Sequence, residues 1–196
     1  MSEERKILEG IVTTTCEDGT TNVSPMGPLV DDALRTLVLR PYRTADTYQN
    51  LKRTGEGVFH VTDDVELVAR AAVDRLETEP EWLVCEAVEV RILADACRWY
   101  AFRVDEIDDR QERAEIVARV VERGRIRDFF GFNRAKHAVL EAAILATRLA
   151  FLPSDEIVAE LERLAGPVKK TAGSQERRAF DFLREYVHAA LASKTE

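Results

Sequence analysis

The sequence has few cysteines and histidines, the side chains that most often hold zinc and other transition metals. Its 196 residues include only three cysteines and three histidines. No two cysteines form a CxxC pair, and none lies at metal-ligand spacing to a histidine, which argues against a metal site. Three separate thiols also suit a reducing compartment. We therefore expect no metal centre and a cytoplasmic location.

A surplus of positive charge and long apolar segments are missing as well. The net charge is −8 and the isoelectric point is near 5.1, so the basic surface of a nucleic-acid-binding protein is not expected. The first ten residues lack the apolar core of a signal peptide. No stretch approaches the roughly 20 apolar residues of a membrane span. The composition predicts a soluble protein that binds neither nucleic acid nor a membrane.

The sequence also lacks a GxGxxG motif and the strand–helix alternation of a dinucleotide-binding fold. Instead, short runs of β-branched and aromatic residues alternate with turn signals such as Asp18-Gly19. The predicted strands cover 7–14, 22–26, 33–40, 57–62, 82–92 and 98–107. Helices are expected over 45–54, ending at Gly55, and after Asp63-Asp64, whose carboxylates can cap a helix. This pattern predicts a small closed or split β-barrel.

From residue 108 onward, the pattern predicts only helices. Asp108 and Gln111 resemble a capping box that opens a helix over 109–124. Ser154 is a candidate cap for a further helix that ends at Gly166-Pro167, and the last helix covers 172–192. We therefore predict an α+β protein with a barrel domain, 1–107, followed by a helical extension, 108–196.

The helix predicted over 132–153 has one face rich in alanine, which lets another backbone approach closely. This face suits the core of the helical extension. It equally suits a dimer interface, with Asn133, Arg134 or Lys136 near a ligand. The sequence leaves both interpretations open.

The segment RPYRTADT, residues 40–47, combines positive charge with a predicted helix start. Arg40 ends a strand, while Thr44 and Thr47 lie at the first turn of the next helix. Unpaired backbone N–H groups and the helix dipole favour an anion there, so the segment suits a phosphate. The alternative is structural: Thr44 or Asp46 caps the helix, and the arginines are solvated.

A second candidate segment is SPMG, residues 24–27. Pro25 interrupts strand hydrogen bonding, and Gly27 removes a side chain where another group comes close. Backbone groups freed in this way can meet the polar edge of a flat heterocycle. The alternative is an ordinary β-bulge at the end of a strand.

Taken together, these motifs resemble those of the FMN-binding split β-barrel superfamily, which contains flavin reductases and pyridoxamine-phosphate-oxidase-like proteins. The similarity is carried by RTADTYQNLKRTGEGVFHVTDD, residues 43–64, where a helix of the kind Thr-Tyr-x-Asn-Leu leads into a strand. One archaeal and bacterial branch with a helical C-terminal extension is similar over nearly the whole chain. Its pattern matches Thr13-Thr14, Asp18-Gly19, Asn22, PMG at 25–27, Arg40-Pro41, TDD at 62–64 and FNRAKHAVLEAAILATRL at 132–149.

The resemblance implies FMN as cofactor, in a homodimer with the flavin at or near the subunit interface. It implies that Arg40, Thr44 and Thr47 hold the FMN phosphate, and that Ser24, Pro25, Met26 and Gly27 line the isoalloxazine ring. Further candidates for the cofactor site are Thr62, Asn133, Arg134 and Lys136. His60 is also a candidate, although the superfamily usually has Asn there; it is either a flavin contact or a satisfied histidine within a strand.

The resemblance further implies a flavin-dependent oxidoreductase that acts on a small molecule. A flavin supplies its own redox chemistry, so no catalytic acid, base or nucleophile is required of the protein. The alternatives are a flavin-binding carrier, sensor or assembly protein without turnover, and an interaction protein whose helical half binds a partner. A link to methanopterin-dependent one-carbon metabolism is a lesser implication, which nothing in the sequence tests.

Overall fold

The computed structural model describes residues 5–193. The chain forms two compact units, and each is discontinuous in sequence. The first unit contains the residues up to Thr62 together with Glu79–Phe129. The second contains Asp63–Thr78 and the chain from Phe130 onward.

The first unit is mainly β-structure with one helix. Its strands are β1 (Lys6–Ile7), β2 (Gly10–Thr15), β3 (Thr21–Met26), β4 (Leu29–Val30), β5 (Thr36–Leu39), β6 (Glu56–Val61), β7 (Trp82–Leu83), β8 (Ile92–Leu93), β9 (Arg98–Asp108) and β10 (Glu115–Arg125). Helix α1 (Asp46–Thr54) lies between β5 and β6 and ends, as predicted, at Gly55 in the left-handed conformation.

Eight of these strands form one antiparallel sheet in the order β1-β4-β5-β10-β9-β6-β2-β3, and β7 pairs with β8. The sheet curls into a half-barrel, which confirms the predicted α+β fold class. Its inner face buries a core that includes Val12, Phe59 and Phe102, against which α1 packs Tyr48 and Leu51. Strand β3 lies at one edge of the sheet, and residues 24–26 of the candidate segment form the end of this edge strand.

The approach of β2 to β6 depends on a glycine. A Cβ atom added at Gly10 would lie 2.2 Å from the His60 carbonyl oxygen and 2.7 Å from the Phe59 ring. Because the first of these atoms belongs to the backbone, it cannot move aside without disturbing the sheet. Gly10 therefore allows β2 and β6 to pair closely.

The helix predicted over 109–124 is wrong, because these residues form the long strand β10. Inward positions such as Ile116 and Ala118 are fully buried, whereas Glu115 and Arg119 are exposed, which is the two-residue period of a strand. Asp108 ends β9 and accepts a bond from the Arg110 backbone N–H at 3.2 Å instead of capping a helix. Pairing with β5 and β9 on both sides overrides the local helical pattern. The structure thus places β10 in the first unit, although its residues were predicted to belong to the helical extension.

The strand predicted over 82–92 is only partly present. Its two ends contribute to β7 and β8, and the residues between them form an irregular loop. Cys85, Val88 and Val90 of that loop are buried in a small cluster with Val58 and Ala101. Their burial explains the apolar pattern without a strand.

The second unit is helical. It contains α2 (Val65–Ala72), α3 (Arg134–Ala146), α4 (Ser154–Thr171) and α5 (Ser174–Ala192). The alanine-rich face of α3, including Ala135, Ala138 and Ala142, lies in the core of this unit. The core interpretation of that face is therefore confirmed. Among the described helices, none combines the length and apolarity needed to cross a membrane.

Helix α4 continues beyond the predicted stop at Gly166-Pro167 and ends at Thr171, so the prediction is wrong there. A proline within a helix removes one backbone donor, but Leu164 and Val168 on either side are buried and keep the helix packed. The Thr171 hydroxyl donates to the Pro167 carbonyl at 2.9 Å. Pro153, not Ser154, occupies the N-cap position, and it makes no side-chain cap bond.

Candidate functional site

The candidate phosphate segment forms a tight connection between β5 and α1. Pro41 is buried and its carbonyl accepts from the Ala114 N–H at 3.0 Å. The Arg43 N–H donates to the Glu112 carbonyl, and the Ala45 N–H to the Tyr42 carbonyl, both at 3.0 Å. Because backbone bonds fix the turn, the side chains of this segment are left to bind other groups.

Helix α1 starts without a side-chain cap. Ala45 occupies the N-cap position, and no side chain bonds the amides of the first turn. The structural alternative, in which Thr44 or Asp46 caps this helix, is therefore wrong. The Tyr48 N–H donates to the Ala45 carbonyl at 3.0 Å, but the N–H groups of Asp46 and Thr47 have no acceptor among residues 5–193. These two donors and the positive end of the helix dipole favour an external anion.

Thr47, in the first turn of α1, has an unusual hydrogen-bonding state. Its side chain is only 2% exposed. The hydroxyl oxygen accepts from the Asn22 amide nitrogen at 3.0 Å. Within residues 5–193 the hydroxyl hydrogen has no acceptor of its own. A buried donor without an acceptor is unfavourable, so this hydrogen is available to a ligand.

Arg40 presents a second donor of this kind. It directly follows β5 and is half-buried, and its Nε atom has no hydrogen-bond partner among the described residues. Arg40, Thr47 and the first-turn amides thus contribute unsatisfied donors within eight consecutive residues. A group that only accepts hydrogen bonds, above all a phosphate, satisfies such a set.

A cleft of about 480 Å³ lies beside α1 and is lined by Arg43, Thr44, Tyr48, Gln49, Lys52 and Glu112. One wall is held together by Asp109, which accepts from the Tyr48 hydroxyl at 2.6 Å and from Lys52 Nζ at 2.8 Å. The bond from Lys52, followed by that from Tyr48, lowers the pKa of Asp109 to about 2. Lys52 is therefore neutralised by a partner, while Arg43 and Thr44 at the start of the helix stay exposed.

The segment 24–27 is not a β-bulge. Strands β2 and β3 pair in unbroken register from Gly10 opposite Met26 to Thr15 opposite Thr21. Pro25 lies opposite Ile11 and is tolerated because β3 is an edge strand. Ser24, Pro25 and Met26 are each half-exposed, so this edge is accessible.

Gly27 is also explained by the chain itself. A Cβ atom there would lie 2.7 Å from Ile7 Cγ2 and 2.8 Å from the Glu9 carboxylate oxygens. The absence of a side chain at Gly27 therefore makes room for the side chains of Ile7 and Glu9.

His60 is fully buried within β6. Its Nδ1 lies 3.2 Å from the Ile11 carbonyl, and its Nε2 lies 3.1 Å from the Leu93 N–H, which donates to it. This pattern corresponds to a neutral ring protonated on Nδ1. Burial lowers the pKa of His60 from 6.5 to about 3. Both ring nitrogens are occupied by backbone groups, which agrees with the interpretation of a satisfied strand histidine and leaves no ring nitrogen for a flavin.

Acidification is expected to weaken the fold through His60. The His60 ring takes up a proton near pH 6.5 in the unfolded chain but only near pH 3 in the folded chain. The stability gained by keeping this ring neutral is therefore fully present above pH 6.5 and is lost as the pH falls towards 3. Between pH 7 and pH 5 the free energy of unfolding should fall by about 2 kcal/mol from this residue. Urea denaturation at both pH values measures it. His60→Asn does not titrate and should show a smaller fall; equal falls in both proteins would contradict the assignment.

Two of the three candidate residues of the second unit, Asn133 and Lys136, have structural partners. Asn133 caps α3, accepting from the Ala135 and Lys136 N–H groups at 2.8 and 3.2 Å. Lys136 Nζ pairs with Glu176 Oε1 at 3.0 Å and donates to the Asp63 carbonyl at 2.6 Å. Arg134 is exposed. Flavin contacts by these residues and by Thr62, which lies at the end of the first unit, remain predictions.

The predicted helix cap at Asp63-Asp64 is present and belongs to Asp64. Its carboxylate accepts from the Glu66 and Leu67 N–H groups at 3.0 and 2.9 Å. Asp63 Oδ2 instead accepts from the Phe130 N–H at 2.6 Å. These bonds join α2 to the loop that precedes α3, so both carboxylates organise the second unit.

A polar network that was not predicted from the sequence lies beneath α1. Asn22 Nδ2 also lies 3.2 Å from the Thr14 hydroxyl, which accepts from Asn50 Nδ2 at 3.0 Å. Asn50 follows Thr47 by three residues and therefore shares a helix face with it. The three-residue spacing of Thr47 and Asn50 could therefore have indicated a polar face on α1 from the sequence. Across residues 5–193 no group of three histidine, cysteine or carboxylate side chains could hold a metal ion.

The solved structures similar to this chain include one that aligns over almost its whole length. An FMN-bound protein of the DUF447 family from Methanosarcina mazei aligns with a TM-score of 0.80 and 21% identity, over 94% of this chain and 96% of that one. Nitrilotriacetate monooxygenase component B from Bacillus cereus aligns with a TM-score of 0.52 and 18% identity, over 65% and 72%. The 2-nitrobenzoate 2-nitroreductase of Pseudomonas fluorescens aligns with a TM-score of 0.51 and 14% identity, over 63% of this chain and 66% of that one. These likenesses confirm the split-barrel fold.

No curated protein matches the sequence. Two family models match it in succession. The model for the N-terminal domain of DUF447, described as a protein of unknown function, covers residues 8–127, and its C-terminal counterpart covers residues 133–185. Together they span most of the chain, and their junction falls close to the division between the two compact units near Phe130. The chain therefore belongs to the DUF447 family.

Proposed function

We propose that this protein binds FMN, with the phosphate at the start of α1 and the isoalloxazine ring along the edge strand β3. The observation that carries the proposal is the unsatisfied donor set of Arg40, Thr47 and the uncapped first turn. The similarity over 94% of the chain to a protein whose structure contains FMN supports it independently.

The donor set fits a phosphate in charge as well as in hydrogen-bonding capacity. Arg40 contributes a cation that no carboxylate of the described chain neutralises at salt-bridge distance. Thr47 contributes a neutral donor, and the helix start contributes backbone N–H groups and the dipole. A phosphate monoester has enough acceptor oxygens to bond with all three. Thr44 is exposed and lines the cleft, and we assign it a further hydroxyl contact to the phosphate.

The edge strand fits the other end of the cofactor. An edge strand has unpaired backbone N–H and C=O groups, which match the alternating acceptors and donor on the edge of a flavin ring. Pro25 lacks an N–H, so the donors on this edge come from its neighbours. Ser24 and Met26 are half-exposed and leave room for a flat ring. Their task is to orient the ring and to exclude water from one side.

We further propose that the protein is a flavin-dependent oxidoreductase acting on a small molecule, in a homodimer with the flavin near the subunit interface. When bound, FMN supplies the hydride and electron chemistry, and the protein contributes orientation and environment. The similar monooxygenase component and nitroreductase support a redox role. A flavin carrier or sensor without turnover is the alternative, and it uses the same site.

Titration of the flavin-free protein with FMN and with riboflavin tests the proposal. FMN should bind with saturable quenching of flavin fluorescence and clearly more tightly than riboflavin, because only FMN carries the phosphate. Stopped-flow mixing of the FMN complex with NADH or NADPH under anaerobic conditions should then bleach the flavin absorbance. Absence of FMN binding would refute the site, whereas binding without bleaching by either donor would favour the carrier or sensor.

A further inference from the structure

We propose that Asn22 is a positioning residue that makes Thr47 a hydrogen-bond donor towards the anion at the start of α1. The inference rests on the proposed function, because it concerns how the same site selects a phosphate. Asn22 lies on β3 and Thr47 on α1, and a side-chain bond of 3.0 Å joins them. This bond also connects the strand proposed for the ring to the helix proposed for the phosphate.

A hydroxyl group is both a donor and an acceptor, and its neighbours decide which role it presents. The Asn22 side-chain nitrogen carries two hydrogens and no lone pair available for a bond. One hydrogen is directed to Thr47 Oγ1 at 3.0 Å and the other to Thr14 Oγ1 at 3.2 Å. The Thr47 oxygen is therefore occupied as an acceptor, and its own hydrogen is left to point elsewhere.

Asn50 also helps to leave the Thr47 hydroxyl hydrogen available, through its bond to Thr14. Its nitrogen donates to Thr14 Oγ1 at 3.0 Å, while its oxygen lies 3.5 Å from Arg53 Nη2. The cation next to that oxygen fixes which way the Asn50 amide faces. Thr14 is fully buried and receives hydrogens from two amides, so it does not compete for the hydrogen of Thr47.

The consequence concerns selectivity more than total affinity. Without Asn22, the Thr47 hydroxyl is free to rotate and to offer a lone pair, which a phosphate oxygen repels. Asn22 thus adds a neutral, orientation-dependent contribution to a site that otherwise depends on Arg40 and the helix dipole. Binding of riboflavin, which has no phosphate, does not use this contribution.

A double-mutant cycle tests the inference. The ratio of the riboflavin to the FMN dissociation constant is measured for the wild type, Asn22→Ala, Thr47→Val and the double variant. Thr47→Val should lower the ratio by about tenfold and Asn22→Ala by less, because Asn22→Ala leaves the hydroxyl in place but no longer orients it. The double variant should be no lower than Thr47→Val, because Asn22 acts only through the Thr47 hydroxyl. An unchanged ratio in Asn22→Ala, or multiplying effects in the double variant, would overturn the proposal.

Asn22→Asp provides a second variant of nearly the same shape that can only accept. It should draw the Thr47 hydrogen towards itself and reduce the ratio at least as much as Asn22→Ala. Thr21→Asp places the same charge on the neighbouring residue and should reduce it less; equal reductions would show a charge effect and overturn the proposal. A wild-type protein that does not prefer FMN over riboflavin would instead refute the proposed function, and the positioning role with it.

Discussion

Combined replacement of Arg40 by Ala and Thr47 by Val will lower the affinity for FMN by about 100-fold. A hydrogen bond to a charged group contributes about 1.5–3 kcal/mol, and 1.4 kcal/mol corresponds to tenfold in affinity, so the loss of two such bonds accounts for this factor. Arg40 has a buried Nε without a partner, so its removal leaves no protein group unpaired. The dissociation constant from fluorescence quenching is the measurement.

Two controls separate a phosphate site from general damage. Riboflavin affinity should change by no more than about threefold, because its ring is proposed to lie on β3 and does not need the phosphate donors. Arg35→Ala removes an exposed arginine of the same unit and should leave FMN binding intact. If the double variant loses both flavins equally, or neither, then the phosphate does not lie at residues 40–47.

Replacement of Lys136 by Met will destabilise the second unit by about 3 kcal/mol, because it leaves a buried carboxylate without its partner. The side chains of Lys136 and Glu176 are only 14% and 9% exposed, and their charged atoms lie 3.0 Å apart. Burial alone would raise the pKa of Glu176. The bond from Lys136 and those from the Glu176 and Gly173 N–H groups outweigh burial and keep this pKa below its ordinary value. Urea or thermal unfolding measures the loss.

The matched partner variant shows whether the loss comes from the unpaired charge. Glu176→Gln added to Lys136→Met should recover part of the stability, because a neutral amide oxygen can still accept from the Gly173 N–H, now 2.7 Å from the carboxylate. Lys136 was also a candidate flavin ligand. If Lys136→Met instead weakens FMN binding and leaves unfolding unchanged, then its role is in the cofactor site and the structural assignment is wrong.

Much of the barrel could be predicted because its signals are local. Asp18-Gly19 marks the turn between β2 and β3, and Gly55 ends α1 in the left-handed conformation that glycine favours. The phosphate segment was also readable, because helix starts and arginines are recognised from neighbouring residues. The structure adds that Thr44 and Asp46 do not cap α1, which the sequence alone left undecided.

The misassigned parts depend on distant residues. The segment 109–124 satisfies a helical pattern and a strand pattern equally, and only pairing with β5 and β9 decides between them. The network beneath α1 joins Asn22 to Thr47 across 25 positions, so no local motif reveals that the two side chains bond. His60 is similar, because its two backbone partners come from β2 and β8.

The discontinuity of the second unit has a consequence for synthesis. Helix α2 emerges from the ribosome more than 50 residues before α3, so its apolar residues Val65 and Ala69 wait for the partners that finally enclose them. Until then this short helix has no core and is exposed to chaperones and proteases. A fragment that starts at Phe130 would never receive α2 at all. The helical unit therefore cannot be completed until the C-terminal helices have been synthesised, although it also needs residues made long before them.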